Sequence, residues 1–272
     1  MISLISDEEL AAVSVSFENI ATVGEILDEF GFAVITGVCS PEEIVHFEKL
    51  WGKDLAEVLP TSGIDESDLQ LKQSLERIFD CTRSDREEDI CKIWPTSSSL
   101  GKPFITDYGL PHGKLAWSVR LNPKVRRLYD IIYDGEGDLV TGMDVVFFNT
   151  KGEAASAQCT YSAHADQNFN VPVVGDYKVY QSALYLWPSL TEGDATTVVW
   201  PKSHKEHYME LMRDEAMQML GKMNFHYCEI KQLANRELAK DFKARFLAEG
   251  RRVRMPAGSL LVWNSRTFHQ VF

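Results

Sequence analysis

The sequence predicts a mainly β fold with flanking helices, its core an antiparallel double sheet of the double-stranded β-helix kind (jelly roll, cupin-like). Three observations predict it. Short apolar or alternating segments, each bounded by turn residues, recur through the second half of the chain. Helical periodicity comes mostly before them, and returns in a stretch of about 207–252 that reads as an insert between two halves of the β structure. No internal repeat or low-complexity tract breaks this order, so residues 1–272 read as one domain.

The elements follow in sequence. Asp7-Glu8-Glu9-Leu10 begins a short helical or capped segment. Val23, Ile26, Leu27 and Phe30 have helical spacing up to Gly31, a C-terminal glycine. Phe32-Ala33-Val34-Ile35 is a buried strand that Gly37 breaks. Ser40-Pro41-Glu42-Glu43 carries a helix start: a Ser cap, Pro at the first helical position and Glu three residues after the cap. That helix runs through Ile44, Phe47, Leu50 and Trp51. Residues 61–89 are polar and charged, a solvated helix face or loop, and 96–103 have loop chemistry. Asn122-Pro123 starts a helix through Val125, Leu128, Ile131 and Ile132 that stops at Gly135 and Gly137. Leu139-Val140 and Val145–Phe148 are strand-like.

Tyr180, Ser182, Leu184 and Leu186 alternate with Gln181, Ala183, Tyr185 and Trp187 in a clear strand. Thr196–Trp200 and Ser259–Trp263 are further strands, set off by turns at 188–194, 201–204 and 256–258. Within the insert, Met209, Met212, Ala216, Met219 and Leu220, then Leu238, Phe242 and Phe246, have helical spacing. Arg245, Arg251, Arg252 and Arg254 form the one notable basic cluster and read as a solvated face.

Composition narrows the function. A net charge of −12 argues against a general polyanion binder and disfavours a nucleic-acid partner, because phosphate contacts need clustered Lys and Arg, although a local basic patch stays open. The 5 cysteines are odd in number, widely spread and lack a CxxC pair. They read as reduced thiols rather than a disulfide frame or a zinc site. The first residues show no basic or long apolar leader, and no apolar stretch of about 18 residues occurs. The expectation is a cytoplasmic protein without a membrane span; no feature specifies an oligomeric state.

Chemistry concentrates in Tyr161–Asn170. On a strand, side chains alternate faces, so His164 and Asp166 put an imidazole and a carboxylate on one side of a sheet. Such a pair supplies two ligands of a 2-His-1-carboxylate triad, which leaves open positions on Fe(II). A surface ion pair would leave the same triplet. A third ligand stands near the chain's end, where His269 follows a Gly turn and an apolar strand. In a jelly roll, distant strands face each other, so the three residues can meet.

Four segments resemble the phytanoyl-CoA dioxygenase-like branch of the Fe(II)/2-oxoglutarate-dependent oxygenases, in that family's order. They are Gly31–Val38 followed by Ser40-Pro41-Glu42-Glu43; His164-Ala165-Asp166-Gln167-Asn168; Gly193–His204, with Lys202 where the family has Gly; and Pro256–His269. The resemblance implies that His164, Asp166 and His269 hold Fe(II), that 2-oxoglutarate chelates it through its 1-carboxylate and 2-oxo group, and that O2 takes the last position. Release of succinate and CO2 would then drive oxidation of a small-molecule substrate, the metal and cosubstrate carrying the hard chemistry. Halogenating relatives lack the carboxylate that Asp166 supplies, which implies hydroxylation or desaturation here. The family's His at the turn matching His204 is structural.

One departure concerns the cosubstrate. The family pairs the 5-carboxylate of 2-oxoglutarate with an Arg shortly after the distal His, a guanidinium forking onto a carboxylate. The sequence stops at Phe272, so a further C-terminal strand bearing that Arg is expected to be missing from it. Within the sequence, Arg266 and Arg120 are substitutes, and Gln181, Tyr185 and Thr196 are candidates to hydrogen-bond the cosubstrate. Two other readings stay open: a non-haem iron oxygenase driven by a different reductant, and a catalytically silent jelly-roll binding protein.

Overall fold

The computed structural model describes residues 2–59, 63–64, 69–81, 104–105, 108–135, 138–142, 145–150, 163–167, 177–205, 222–223, 228–229, 244 and 246–271. The chain falls into two compact units, one made of Met1–Gly37 with Ala154–Phe272 and the other of Val38–Glu153. Among the described residues, no helix is long and apolar enough to cross a membrane.

The first unit begins with β1 (Ser3–Leu4), α1 (Asp7–Val13), β2 (Ser14–Ser16), a 3-10 segment (Phe17–Thr22), α2 (Val23–Phe30) and β3 (Phe32–Thr36). Local chemistry dictates the helix ends. The Ser6 hydroxyl accepts the Glu9 N–H at 3.2 Å while the Glu9 carboxylate accepts the Ser6 N–H at 2.9 Å, a reciprocal capping box. Gly31 ends α2 in the left-handed region, φ +83°, where a side chain is disfavoured.

The second unit holds α3 (Pro41–Val58), α4 (Leu71–Cys81), β4 (Phe104–Ile105), a 3-10 turn (Leu110–His112), α5 (Lys114–Arg120), α6 (Pro123–Ile132) and β5 (Val146–Phe147). β4 and β5 pair in a small two-stranded sheet. α3 starts on a second capping box, Ser40 with Glu43. α5 is capped from a distance: the buried Asp54 carboxylate accepts the N–H groups of Lys114 and Leu115, both at 2.9 Å. A Cβ on Gly113 would stand 2.5 Å from that carboxylate, so the approach requires glycine. Asp54→Ala is expected to cost about 1–2 kcal/mol, as loss of a cap does, read as a lower midpoint in urea. Cys39 is a buried free thiol that burial pushes up to about 11, which leaves it unreactive near neutrality.

The remaining strands return to the first unit: β6 (His164–Ala165), β7 (Tyr180–Tyr185), β8 (Thr197–Val199), β9 (Lys222–Met223), β10 (Cys228–Glu229), β11 (Arg251–Arg252), β12 (Ser259–Asn264) and β13 (His269–Val271). They build two mixed sheets. The larger runs β1-β11-β8-β13-β6-β10-β9 and the smaller β2-β3-β12-β7. β1 with β11 and β2 with β3 are the parallel pairs. The chain alternates between sheets: β6, β8 and β13 lie in the larger, β7 and β12 in the smaller. Their shared core joins Phe32, Val34, Leu261 and Trp263 of the small sheet to Val199 of the large one, with Ile5, Val13, Val253 and Met255. Each fully buried Val, Leu or Phe there contributes about 1.5–3 kcal/mol.

The two-sheet arrangement with flanking helices matches the expected class in outline, but helix outweighs strand among the described residues. Leu139-Val140 is not a strand: Val140 is 95% exposed and has nothing to pack on. Within the expected helical insert, 222–223 and 228–229 are strands that extend the large sheet. The helical stripe of Met209 to Phe242, the loop at 96–103 and Arg245 lie outside the described residues. The other three arginines are not a plain solvated face. Arg251 and Arg254 pair with Glu9 and Asp7, and Arg252 is 2% exposed, bound to the Glu192 carboxylate at 2.8 Å and to the carbonyls of Glu192 and Asp194.

Candidate metal centre

Strand pairing assembles the centre. β13 runs antiparallel between β8 and β6, which sets His269 opposite His164. Opposed residues on such strands have Cβ atoms about 4.5–5.5 Å apart, and the two imidazole centroids lie 4.5 Å apart. Asp166 follows the end of β6. Its Oδ1 is 3.5 Å from His164 Nε2 and its Oδ2 is 3.3 Å from His269 Nε2. One ligand atom from each residue falls within 4.8 Å of the other two. His269 is 3% exposed, whereas the side chains of His164 and Asp166 are 28% and 36% exposed. The cluster therefore has one buried wall and one open side.

The neighbours prepare these atoms for a cation. His269 Nδ1 lies 3.1 Å from the Thr267 carbonyl. A carbonyl only accepts, so Nδ1 carries a proton, and Nε2 faces the cluster, where it can offer a lone pair to a cation once it is unprotonated. Gln181 donates its amide N–H to Asp166 Oδ2 at 2.7 Å. Burial would raise the Asp166 carboxyl, but the hydrogen bond and charge of His269, the charge of His164 and the Gln181 bond together lower it to about 2. Asp166 is thus an anion wherever an imidazole can be neutral. Its folded value lies below the ordinary 3.8, so the stability it contributes is complete above that value and is lost as pH falls toward 2. Asp166→Asn is expected to flatten the stability curve between about pH 4 and pH 2, measured by urea unfolding across that range.

A single turn, Asn264–Thr267, holds both ends of the site. Gln167 donates its backbone N–H to the Ser265 carbonyl at 3.0 Å, next to Asp166. The Gly31 carbonyl accepts the Asn264 N–H at 2.9 Å and the Thr267 hydroxyl at 2.8 Å. Ser203 Oγ accepts the Phe268 N–H at 2.7 Å, beside His269.

The expected cosubstrate residues separate. Gln181 is at the cluster. Tyr185 and Thr196 are engaged elsewhere: the Tyr185 hydroxyl accepts the Thr197 N–H at 2.9 Å between the two sheets, and Thr196 Oγ1 donates to the Val253 carbonyl where β8 pairs with β11. The Arg266 charge bears on His204, whose pKa is lowered by burial first and by Lys205 and Arg266 in addition. Arg120 lies in the second unit, donating to the Pro111 carbonyl at 2.6 Å and stacking on Trp117. His204 itself is structural, its Nε2 3.1 Å from the Asp28 carbonyl. Lys202 has φ +65°, the left-handed conformation that glycine would adopt without strain. Sequence reasoning missed Trp263, whose ring centroid is 5.1 Å from that of His269. The alternation of β12 was a signal for its face, but not for its neighbour.

No protein-family model matches the chain, and no curated protein matches it. Fold and geometry together define a protein of two mixed sheets with flanking helices and a His-Asp-His cluster able to hold a metal ion. Two imidazole nitrogens and one carboxylate suit a divalent first-row metal, and the open side leaves room for further ligands.

Proposed function

We propose that this chain is a non-haem Fe(II)/2-oxoglutarate-dependent oxygenase on a double-stranded β-helix core, oxidising a small organic substrate. The observation that carries it is the convergence of His164, Asp166 and His269, with one open side. The alternation of β6, β7 and β8, then β12 and β13, between two sheets that share a core supports the jelly-roll reading. The sequence resemblance of the segments around the three ligands supports the activity.

When bound, Fe(II) with 2-oxoglutarate supplies O2 activation, with release of succinate and CO2. The chain's own residues do the positioning. The Thr267 carbonyl fixes the His269 ring, Gln181 fixes the Asp166 carboxylate, and Trp263 shields the His269 face. Such outer partners set ligand orientation and tautomer.

The test is anaerobic titration with Fe(II) and 2-oxoglutarate, on this chain and on a form extended past Phe272. The expected result is the weak visible charge-transfer absorption of the chelate, with succinate formed on admitting O2 and none from His164→Ala. Metal binding without the band in either form would point to a different reductant. No binding of any divalent ion would leave a catalytically silent jelly-roll binding protein.

A further inference from the structure

Trp263 and Gln181 are register partners on the adjacent antiparallel strands β12 and β7. Their side chains therefore rise side by side from one face of the small sheet. That face looks onto the centre, since the Trp263 ring packs 5.1 Å from the His269 ring and the Gln181 amide nitrogen bonds Asp166. Each residue leaves one buried polar atom without a partner: the Trp263 indole N–H, a donor, and Gln181 Oε1, an acceptor. Trp263 is only 8% exposed, so its N–H has no ready access to bulk solvent. Leaving such groups unmet is unfavourable, and native interiors rarely do so.

The amide orientation follows from chemistry. An ionised carboxylate accepts only, so the NH2 of Gln181 must face Asp166 and its carbonyl oxygen must turn away. The indole can only donate. Beside the centre, two residues that are neighbours in register thus carry one unmatched donor and one unmatched acceptor, both uncharged.

We propose that Trp263 and Gln181 determine substrate specificity by binding a neutral group that both accepts and donates a hydrogen bond, a hydroxyl or a primary carboxamide. One such group accepts from the indole and donates to the Gln181 carbonyl. A carboxylate has no proton for that carbonyl and meets it oxygen to oxygen, so the pair discriminates against it. Gln181 therefore serves the substrate rather than a carboxylate of the cosubstrate. The inference rests on the function proposed above only in taking the centre as a place where a small molecule enters.

The experiment is NMR of the chain labelled with 15N at the indoles, in metal-free and Zn(II)-loaded forms. Trp263→Phe assigns the resonance by its loss, and an unchanged far-UV circular dichroism spectrum shows that the variant folds. The probes are 1-propanol, propionamide and propionate. The Trp263 N–H is expected to shift saturably with the alcohol and the amide, and at least about tenfold more weakly with propionate. In Trp263→Phe, saturation-transfer signals from the two neutral probes should fall by a similar factor. An equal response to propionate would overturn the proposal. So would an indole that ignores all three probes and shows only a cross-peak to a bound water. Failure to take Zn(II) would count against the metal reading, while the titration of the metal-free chain would still decide this one.

Discussion

His269→Ala is expected to lower divalent-metal affinity by roughly 100-fold or more. Removing a residue that merely orients a ligand commonly costs 10–100-fold, and His269 is the buried one of the three candidate ligands. The side chain presents Nε2 to Asp166 because β13 pairs with β6 and because the Thr267 carbonyl holds its other nitrogen. Alanine keeps the strand and deletes the donor atom. The measurement is calorimetric titration with Zn(II) or Mn(II), beside thermal unfolding with and without metal. Metal at about 100 times its Kd should stabilise the native chain by about 2.7 kcal/mol. For a chain of this size that is a Tm rise of about 5–10 °C, and the variant should show none. Affinity retained within about threefold would remove His269 from the ligand set and with it the 2-His-1-carboxylate reading.

Gly31→Ala is expected to destabilise the first unit by about 3–4 kcal/mol. The left-handed backbone at φ +83° costs a side-chain-bearing residue about 1–2 kcal/mol. An added Cβ would also stand 2.5 Å from both His204 Nδ1 and Thr267 Oγ1, and overpacking of that kind costs about 1–3 kcal/mol more. A Tm fall of about 10 °C follows. Metal affinity should fall with it, because the Gly31 carbonyl anchors Asn264 and Thr267, the turn that carries His269. Gly24 is the internal control. It is the second residue of α2, with nothing within 4 Å of an added Cβ, so Gly24→Ala should leave stability unchanged or raise it by at most about 0.5–1 kcal/mol. If the two substitutions shifted Tm alike, the close approach at Gly31 would not be what the turn depends on.

Local signals were legible wherever the deciding bond spans three or four residues. The Ser40–Glu43 capping box, the Gly31 terminus of α2 and the strand β7 could be read because their partners lie a turn or a pleat away; the Ser6–Glu9 box was not read from the sequence. The candidate ligands could be proposed too, since few side chains can hold a metal, and the structure brings one ligand atom each of His164, Asp166 and His269 within 4.8 Å of the others. The basic cluster was misread for the opposite reason. Nothing near Arg252 in sequence announces that it will be buried with its guanidinium against Glu192. Asp54 is a similar case, an acid in one helix that caps another 60 residues further on.

The sequence alone determined which residues have metal-binding chemistry, where α2 ends and where α3 and α6 start. Only the tertiary structure decided register. Backbone N–H and C=O groups are alike at every position, and a one-residue slip reverses every side chain's face. The pairing of β13 with β6 is what turns His269 toward His164, and the pairing of β12 with β7 is what sets Trp263 beside Gln181. Those two registers follow from packing the shared core of Phe32, Val34, Leu261 and Val199, a property of both sheets at once and of no single stretch of the chain.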